Sequence, residues 1–179
     1  TDGVMGYVSY NRGMKSGGVG ITGAADTITT YEPEELDAYE IGVKSDLLDG
    51  RARFNAAVFY YDFSSIQFQR VVTGAGVIIN GGDAESYGAD AEFEFQATDN
   101  LRLTAGISLL DTEIKDFPNA PCTERTPAGT TVDCAPGYNA DGNELTQAPD
   151  FTGSLAASYR IPTGIGAIDL NASYYYNNG

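Results

Sequence analysis

The chain has 179 residues, with 10 Lys+Arg against 25 Asp+Glu and a net charge of −15. So acidic a chain has little with which to neutralise phosphates, which excludes a nucleic-acid partner. No stretch approaches ~20 consecutive apolar residues, so no transmembrane helix is expected, but that test is blind to barrel strands. With 22 Gly, 12 Tyr and no His or Trp, the composition suits long amphipathic strands rather than helices. No nucleophile–base set is readable and no His could serve as a base, so no enzyme is expected and no cofactor is assigned.

Residues 4–13 alternate Val4, Gly6, Val8 and Tyr10 against Met5, Tyr7, Ser9 and Asn11. Successive side chains of a strand point to opposite faces, so a period of two means strand. Residues 14–35 read as a long loop. It holds a formal Gly-x-Gly-x-x-Gly at Gly18, Gly20 and Gly23. A dinucleotide site would need a helix next, and Ala24 to Thr30 has poor helix propensity. A plain glycine-rich loop is expected.

Residues 36–48 and 51–69 read as the arms of a hairpin. Tyr39, Ile41, Val43 and Leu47 share one parity, with Ser45 as its polar member; Glu40, Lys44 and Asp46 take the other. Across the turn, Phe54, Ala56, Val58 and Tyr60 oppose Arg51, Arg53 and Asn55. Asp49-Gly50 between them suits a type I′ turn, which needs φ > 0 at both central positions. Three homes fit such a hairpin: a sandwich edge, a β-solenoid, or a transmembrane barrel with one face to lipid and one to a watery lumen.

Residues 71–82 form a second glycine-rich loop. In 86–97, Tyr87, Ala89, Ala91, Phe93 and Phe95 oppose Asp90, Glu92 and Glu94. Carboxylates two apart on one strand make a charged wall rather than a closed cation shell. After a turn at 98–100, residues 101–114 alternate again. The stretch 115–148 shows no strand or helix pattern, a length that marks a functional or disordered loop. It contains both cysteines, Cys122 and Cys134. A disulfide closing a surface loop is favoured over metal, because no His and no second Cys pair accompanies them; it implies an oxidising compartment. Asp141-Gly142-Asn143-Glu144 misses the EF-hand spacing, so no metal site is assigned. Strands near 150–161 and 167–177 follow, joined by a turn at 162–166. The sequon Asn171-Ala172-Ser173 lies mid-strand and is set aside.

About seven strands result, and their connections alternate long and short. Short periplasmic turns and long extracellular loops are the outer-membrane arrangement. The fold class is therefore all-β: an antiparallel up-and-down transmembrane β-barrel, with about seven strands of a larger barrel. Tyr60, Tyr61, Tyr159, Tyr174 and Tyr176 lie near strand ends, where an amphipathic ring suits a membrane interface. Seven strands cannot close a roomy barrel, so the remaining strands are expected from the same chain. No signal-peptide pattern opens the sequence, and it stops at a strand end. The expectation is an interior fragment; the mature form of a small protein is the alternative.

Four stretches carry a resemblance: YNRGMKSGGVG, YEPEELDAYEIGVKSDLLDGRARFNAAVFYYDFSSIQFQ, NGGDAESYGADAEFEF and GNELTQAPDFTGSLAASY. In this order and spacing they resemble the barrel domain of TonB-dependent outer-membrane receptors. The resemblance implies a barrel segment over 1–179, in a protein whose plug domain and TonB-contact segment lie outside these residues. It implies outer-membrane lipid and the TonB complex as partners. It also implies import of a scarce nutrient, with ferric siderophores the commonest cargo. Arg125, Tyr138 and Asn139, in the loop that Cys122 and Cys134 would pin, are the candidate ligand contacts. A passive porin-like or structural barrel is one alternative, and a secreted β-rich adhesion or assembly module is another. Tyr39, Ile41, Val43, Phe54, Ala56 and Val58 should then face lipid, with Glu40, Lys44, Arg51 and Arg53 toward lumen or plug.

Overall fold

The computed structural model describes residues 3–22, 27–72, 75–118, 120, 122–125, 127–129, 131–133 and 137–179. Among these there is no helix. Seven long strands form one antiparallel sheet: β1 (Gly3–Lys15), β4 (Glu34–Leu47), β5 (Ala52–Ser64), β8 (Asp83–Thr98), β9 (Leu101–Lys115), β12 (Phe151–Thr163) and β13 (Gly166–Asn177). The six intervening strands are short and pair as three hairpins. They are β2 (Gly18–Thr22) with β3 (Thr27–Tyr31), β6 (Gln67–Val72) with β7 (Ala75–Asn80), and β10 (Thr123–Arg125) with β11 (Thr131–Asp133).

The spatial order β1-β4-β5-β8-β9-β12-β13 is a meander, each long strand beside the next in sequence. All three short hairpins lie at one end of the sheet, and the tight turns at the other. This is the alternation of connection lengths expected from the sequence. The three loops differ from expectation in carrying strands of their own. Residues 14–35 hold β2 and β3, residues 115–148 hold β10 and β11, and the arm expected over 51–69 is cut at Ser64. The cut has a local cause: Ser65 sits at φ 54, outside the β region, and turns the chain into β6. Asp116, at φ 48, ends β9 in the same way.

The glycine-rich motif is not a phosphate cradle. Gly18 and Gly20 lie within β2, and β3 rather than a helix comes next; Gly23 lies outside the described residues. At the organising hairpin, Asp49 and Gly50 have φ 54 and 81, and the Arg51 amide donates to the Leu48 carbonyl at 3.2 Å. That is the type I′ geometry. Leu48 is also left-handed, at φ 56, so the full reversal spans four residues between the paired Leu47 and Ala52.

Register puts the apolar parities in line. Val8, Ile41, Val58, Ala89, Leu109 and Phe151 form one continuous row across six strands. One row toward the loops stand Tyr10, Tyr39, Tyr60 and Tyr87; one row further stand Arg12, Asp37, Asp62, Glu85 and Glu113. The same face thus changes from apolar to tyrosine to charged within two steps. Phe151 and Tyr176 continue the aromatic edge on β12 and β13, one and two rows lower. On β5 the distance from Tyr60 to Ala52 is about 27 Å along the strand at ~3.4 Å per residue.

The apolar face carries little cover of its own. Val8 is 78% exposed, Ile41 54% and Leu155 59%. Ser45, the polar member of that parity, is instead buried and donates its hydroxyl to the Phe54 carbonyl at 2.8 Å. Tyr61 points to the opposite face from Tyr60, where it stacks on Phe59 at 4.8 Å. The expectation that the strand-end tyrosines suit the membrane interface therefore needs correcting for Tyr61: adjacent residues of a strand cannot share a face.

Candidate functional site

The sheet's polar face is a lattice of paired charges. Arg53 meets Asp46 at 2.9 Å, Arg102 meets Glu94 at 3.4 Å, and Arg160 meets Asp169 at 2.7 Å. Tyr7 crosses over Gly42, its register partner, and donates to Glu40 at 2.5 Å. A Cβ at Gly42 would lie 2.6 Å from the Tyr7 ring, so the glycine is what admits it. The Lys44 ammonium stands 5.3 Å from the same ring centre. Asp90, Glu92 and Glu94 line this face as a charged wall, as their spacing predicted. Arg51 departs from expectation. It sits in the turn, where its guanidinium donates to the carbonyls of Gln96 (3.0 Å) and Ala97 (2.8 Å) and ties two short turns together.

The long-loop end is built differently. There, side chains hold the backbones of other loops. The Gln67 amide donates to the Glu34 carboxylate at 2.8 Å, and Gln67 Nε2 donates to the carbonyls of Ser16 (3.1 Å) and Glu32 (3.0 Å). Asn80 grips Glu32 at two points: Nδ2 donates to its carbonyl at 3.0 Å, and Oδ1 accepts from its amide at 2.7 Å. Asn80 Nδ2 also donates to the Ser65 carbonyl at 3.0 Å, supporting the left-handed turn there.

The third loop is fastened by its stretch 137–145. The Asp141 carboxylate accepts from the Phe117 amide at 2.5 Å, and the Ala140 amide donates back to the Phe117 carbonyl at 3.0 Å. The Ile114 amide donates to the Asn143 carbonyl (2.8 Å), and the Leu145 amide to Thr112 Oγ1 (3.0 Å). Asp141 therefore caps the backbone at Phe117. Phe117 is buried and stacks on Phe68, with ring centres 5.3 Å apart.

Two of the candidate contact residues are brought together here. Tyr138 is exposed, and its hydroxyl accepts from Asn143 Nδ2 at 2.9 Å. Asn139 Oδ1 accepts from the Asp141 amide at 3.0 Å, and its Nδ2 donates to Asp141 Oδ2 at 3.1 Å. Arg125 lies on β10, opposite Thr131 on β11. Cys122 is disulfide-bonded; Cys134 lies outside the described residues. Reading the sequence missed Gln67, Asn80, Glu32 and Phe117 as rim residues. Only Asn139-x-Asp141, a local side-chain-to-backbone pattern, carried a recoverable signal.

The family model of the TonB-dependent receptor-like β-barrel matches residues 1–179. The chain belongs to the TonB-dependent receptor β-barrel family. It is 29% identical over 162 residues to the metal-pseudopaline receptor CntO of Pseudomonas aeruginosa, covering 90% of this chain and 19% of that protein. It is 27% identical over 151 residues to the probable TonB-dependent siderophore receptor PiuA of Acinetobacter baumannii, covering 80% of this chain and 18% of that one. The chain thus spans about a fifth of the length of the curated relatives it matches. The ferric yersiniabactin uptake receptor FyuA of Yersinia pestis shares the fold, with a TM-score of 0.72 at 17% identity, over 96% of this chain and 23% of that one. The solved PiuA structure gives 0.67 at 22% identity, over 97% of this chain and 24% of that one.

As a stretch of TonB-dependent receptor wall, the chain lies in the bacterial outer membrane. Its apolar face meets lipid, with the tyrosine row at the outer boundary and the charged row above it. Tilted by ~35–45°, the strand length from Tyr60 to Ala52 projects to about 19–22 Å and fills most of the ~25 Å apolar band of such barrels. The short turns are periplasmic and the three braced loops extracellular.

Proposed function

We propose that the parent protein is an import receptor that captures a metal chelate at its extracellular loops and passes it through the barrel when TonB acts on the plug. The cargo we favour is a ferric siderophore. The observation that carries this reading is the family match over the whole chain, together with relatives named as siderophore and metal-pseudopaline receptors. The plug domain and TonB-contact segment belong, in this reading, to the rest of the protein. Arg125, Tyr138 and Asn139 contact the cargo, and a Cys122–Cys134 bridge pins their loop. Arg125 supplies one of the few positive charges among the long loops, and Tyr138 offers an exposed ring whose hydroxyl is already held.

The test is uptake of radiolabelled iron by iron-starved cells that carry or lack the full-length receptor, supplied with a panel of siderophores. Accumulation should require both the receptor and TonB. Uptake that persists without TonB would point instead to a passive pore. A second reading follows from the pseudopaline relative: a broader metallophore loaded with another transition metal. The same assay with labelled zinc or nickel separates the two. Replacing Arg125 or Tyr138 with Ala should raise the half-saturating cargo concentration roughly tenfold, the size of one charged or aromatic contact. Labelling of both cysteines without reductant would remove the pinned-loop claim.

A further inference from the structure

We propose that the base of the β6–β7 hairpin is a keystone that makes the three long loops one cooperative opening unit. Gln67 and Asn80 are register partners at the first rung of this hairpin. Both reach sideways into the first loop. Together they satisfy both backbone polar groups of Glu32 and the carbonyl of Ser16, and the Glu34 carboxylate caps the Gln67 amide. The next residue along β6, Phe68, reaches the other way and stacks on Phe117 of the third loop, the rings tilted by 19°. Gly81 lies beneath both rings: a Cβ there would collide with Phe68 and stand 3.0 Å from Phe117.

The contacts are contiguous. Glu32 is held by Asn80 and Gln67; Phe68 follows directly on Gln67; Phe117 follows Phe68 by stacking; and Phe117 exchanges backbone bonds with Ala140 and Asp141. Among the described residues, the segment that carries Tyr138 and Asn139 is therefore connected to the first loop through the hairpin between them. The base itself is anchored to the wall. The Ile66 amide donates to the Gly82 carbonyl at 3.1 Å, the Gly81 amide to the Ile66 carbonyl at 2.6 Å, and the Ser65 amide to the Asp83 carboxylate at 3.0 Å. The first loop cannot leave the hairpin without stranding backbone groups, and the third cannot leave it without baring the Phe68–Phe117 ring stack, so the three open together.

The experiment is amide hydrogen exchange on the full-length receptor in detergent, without cargo, comparing wild type, Asn80→Ala and Phe117→Ala. Among the described residues, Phe117 makes none of the contacts that hold the first loop. Phe117→Ala should nonetheless speed exchange roughly tenfold in 18–31 as well as in 116–150, and Asn80→Ala should do the same in both segments. Exchange in β5, β8 and β9 should stay unchanged. Faster exchange confined to 116–150 in Phe117→Ala, with 18–31 at the wild-type rate, overturns the proposal. If Phe117→Ala fails to assemble, as judged by heat-modifiable gel migration, Phe117→Leu keeps the bulk, loses the stacking and is read by the same criterion.

Discussion

The two ends of this wall are closed on different scales. At the periplasmic end each turn satisfies its backbone groups within itself or with the next turn. Arg51 donates to Gln96 and Ala97, Thr98 accepts from Asn100 and Leu101, and the Arg160 amide donates to the Asn100 carbonyl. At the extracellular end the loops are long, and side chains from one loop satisfy the backbone of another. The difference teaches where change is tolerated. A periplasmic turn is a short reversal tied by one or two bonds to its neighbouring turn, whereas the outer rim is held by several side chains that together fasten long loops up to 51 positions apart.

Between the ends lies the wall, which obeys a third rule set by lipid. The largest expected effect breaks that rule. Ala56→Lys places a charge midway down the apolar face, two rows below Tyr60 and two above Ala52. In water such a change would be nearly silent; in the bilayer it should cost about 2–4 kcal/mol, read as a lowered urea midpoint for folding into lipid vesicles. The same lysine at the neighbouring Ala57, on the polar face, should leave that midpoint almost unmoved. Equal losses at both sites would contradict the assignment of faces.

A smaller effect separates rim from wall. Thr112 is buried, and its hydroxyl accepts from the Leu145 amide. Thr112→Val leaves that amide without its acceptor, a penalty of about 1–2 kcal/mol. The loss should appear as faster proteolytic nicking in 137–150, with no change in barrel melting. Smaller still, Gly42→Ala would push the Tyr7 ring off its seat and away from Glu40. A modest fall in the folding midpoint is expected, and Tyr7→Ser in the same chain should absorb most of it. The smallest effect concerns the surface ion pairs. Arg160→Gln removes an exposed partner of Asp169 and should shift no folding midpoint measurably.

Much of this architecture was legible in the order of residues. The period-two alternation around Tyr39–Leu47 and Phe54–Tyr60 marked the strands and sorted their faces, because a strand's side-chain direction follows from parity alone. Asp49-Gly50 marked the reversal, because few residue pairs accept two positive φ values. The alternation of long and short connections then gave the meander. The candidate contacts fared differently. Tyr138 and Asn139 were named for their place in a long loop; Asn139-x-Asp141 carried a local signal for the Asn139 bond, and nothing in the sequence announced that of Tyr138.

The sequence by itself therefore determined the wall: its strands, its two faces and the side on which its long loops lie. These follow from local rules, one residue or one turn at a time. Only the tertiary structure decided the rim. Ser65 and Asp116 leave the β region although neither is glycine. Gln67, Asn80 and Phe117 find partners that no local pattern foretells. The physical reason is that a side chain's reach across loops depends on the register of strands far apart in the chain. That register exists only once the whole sheet has formed.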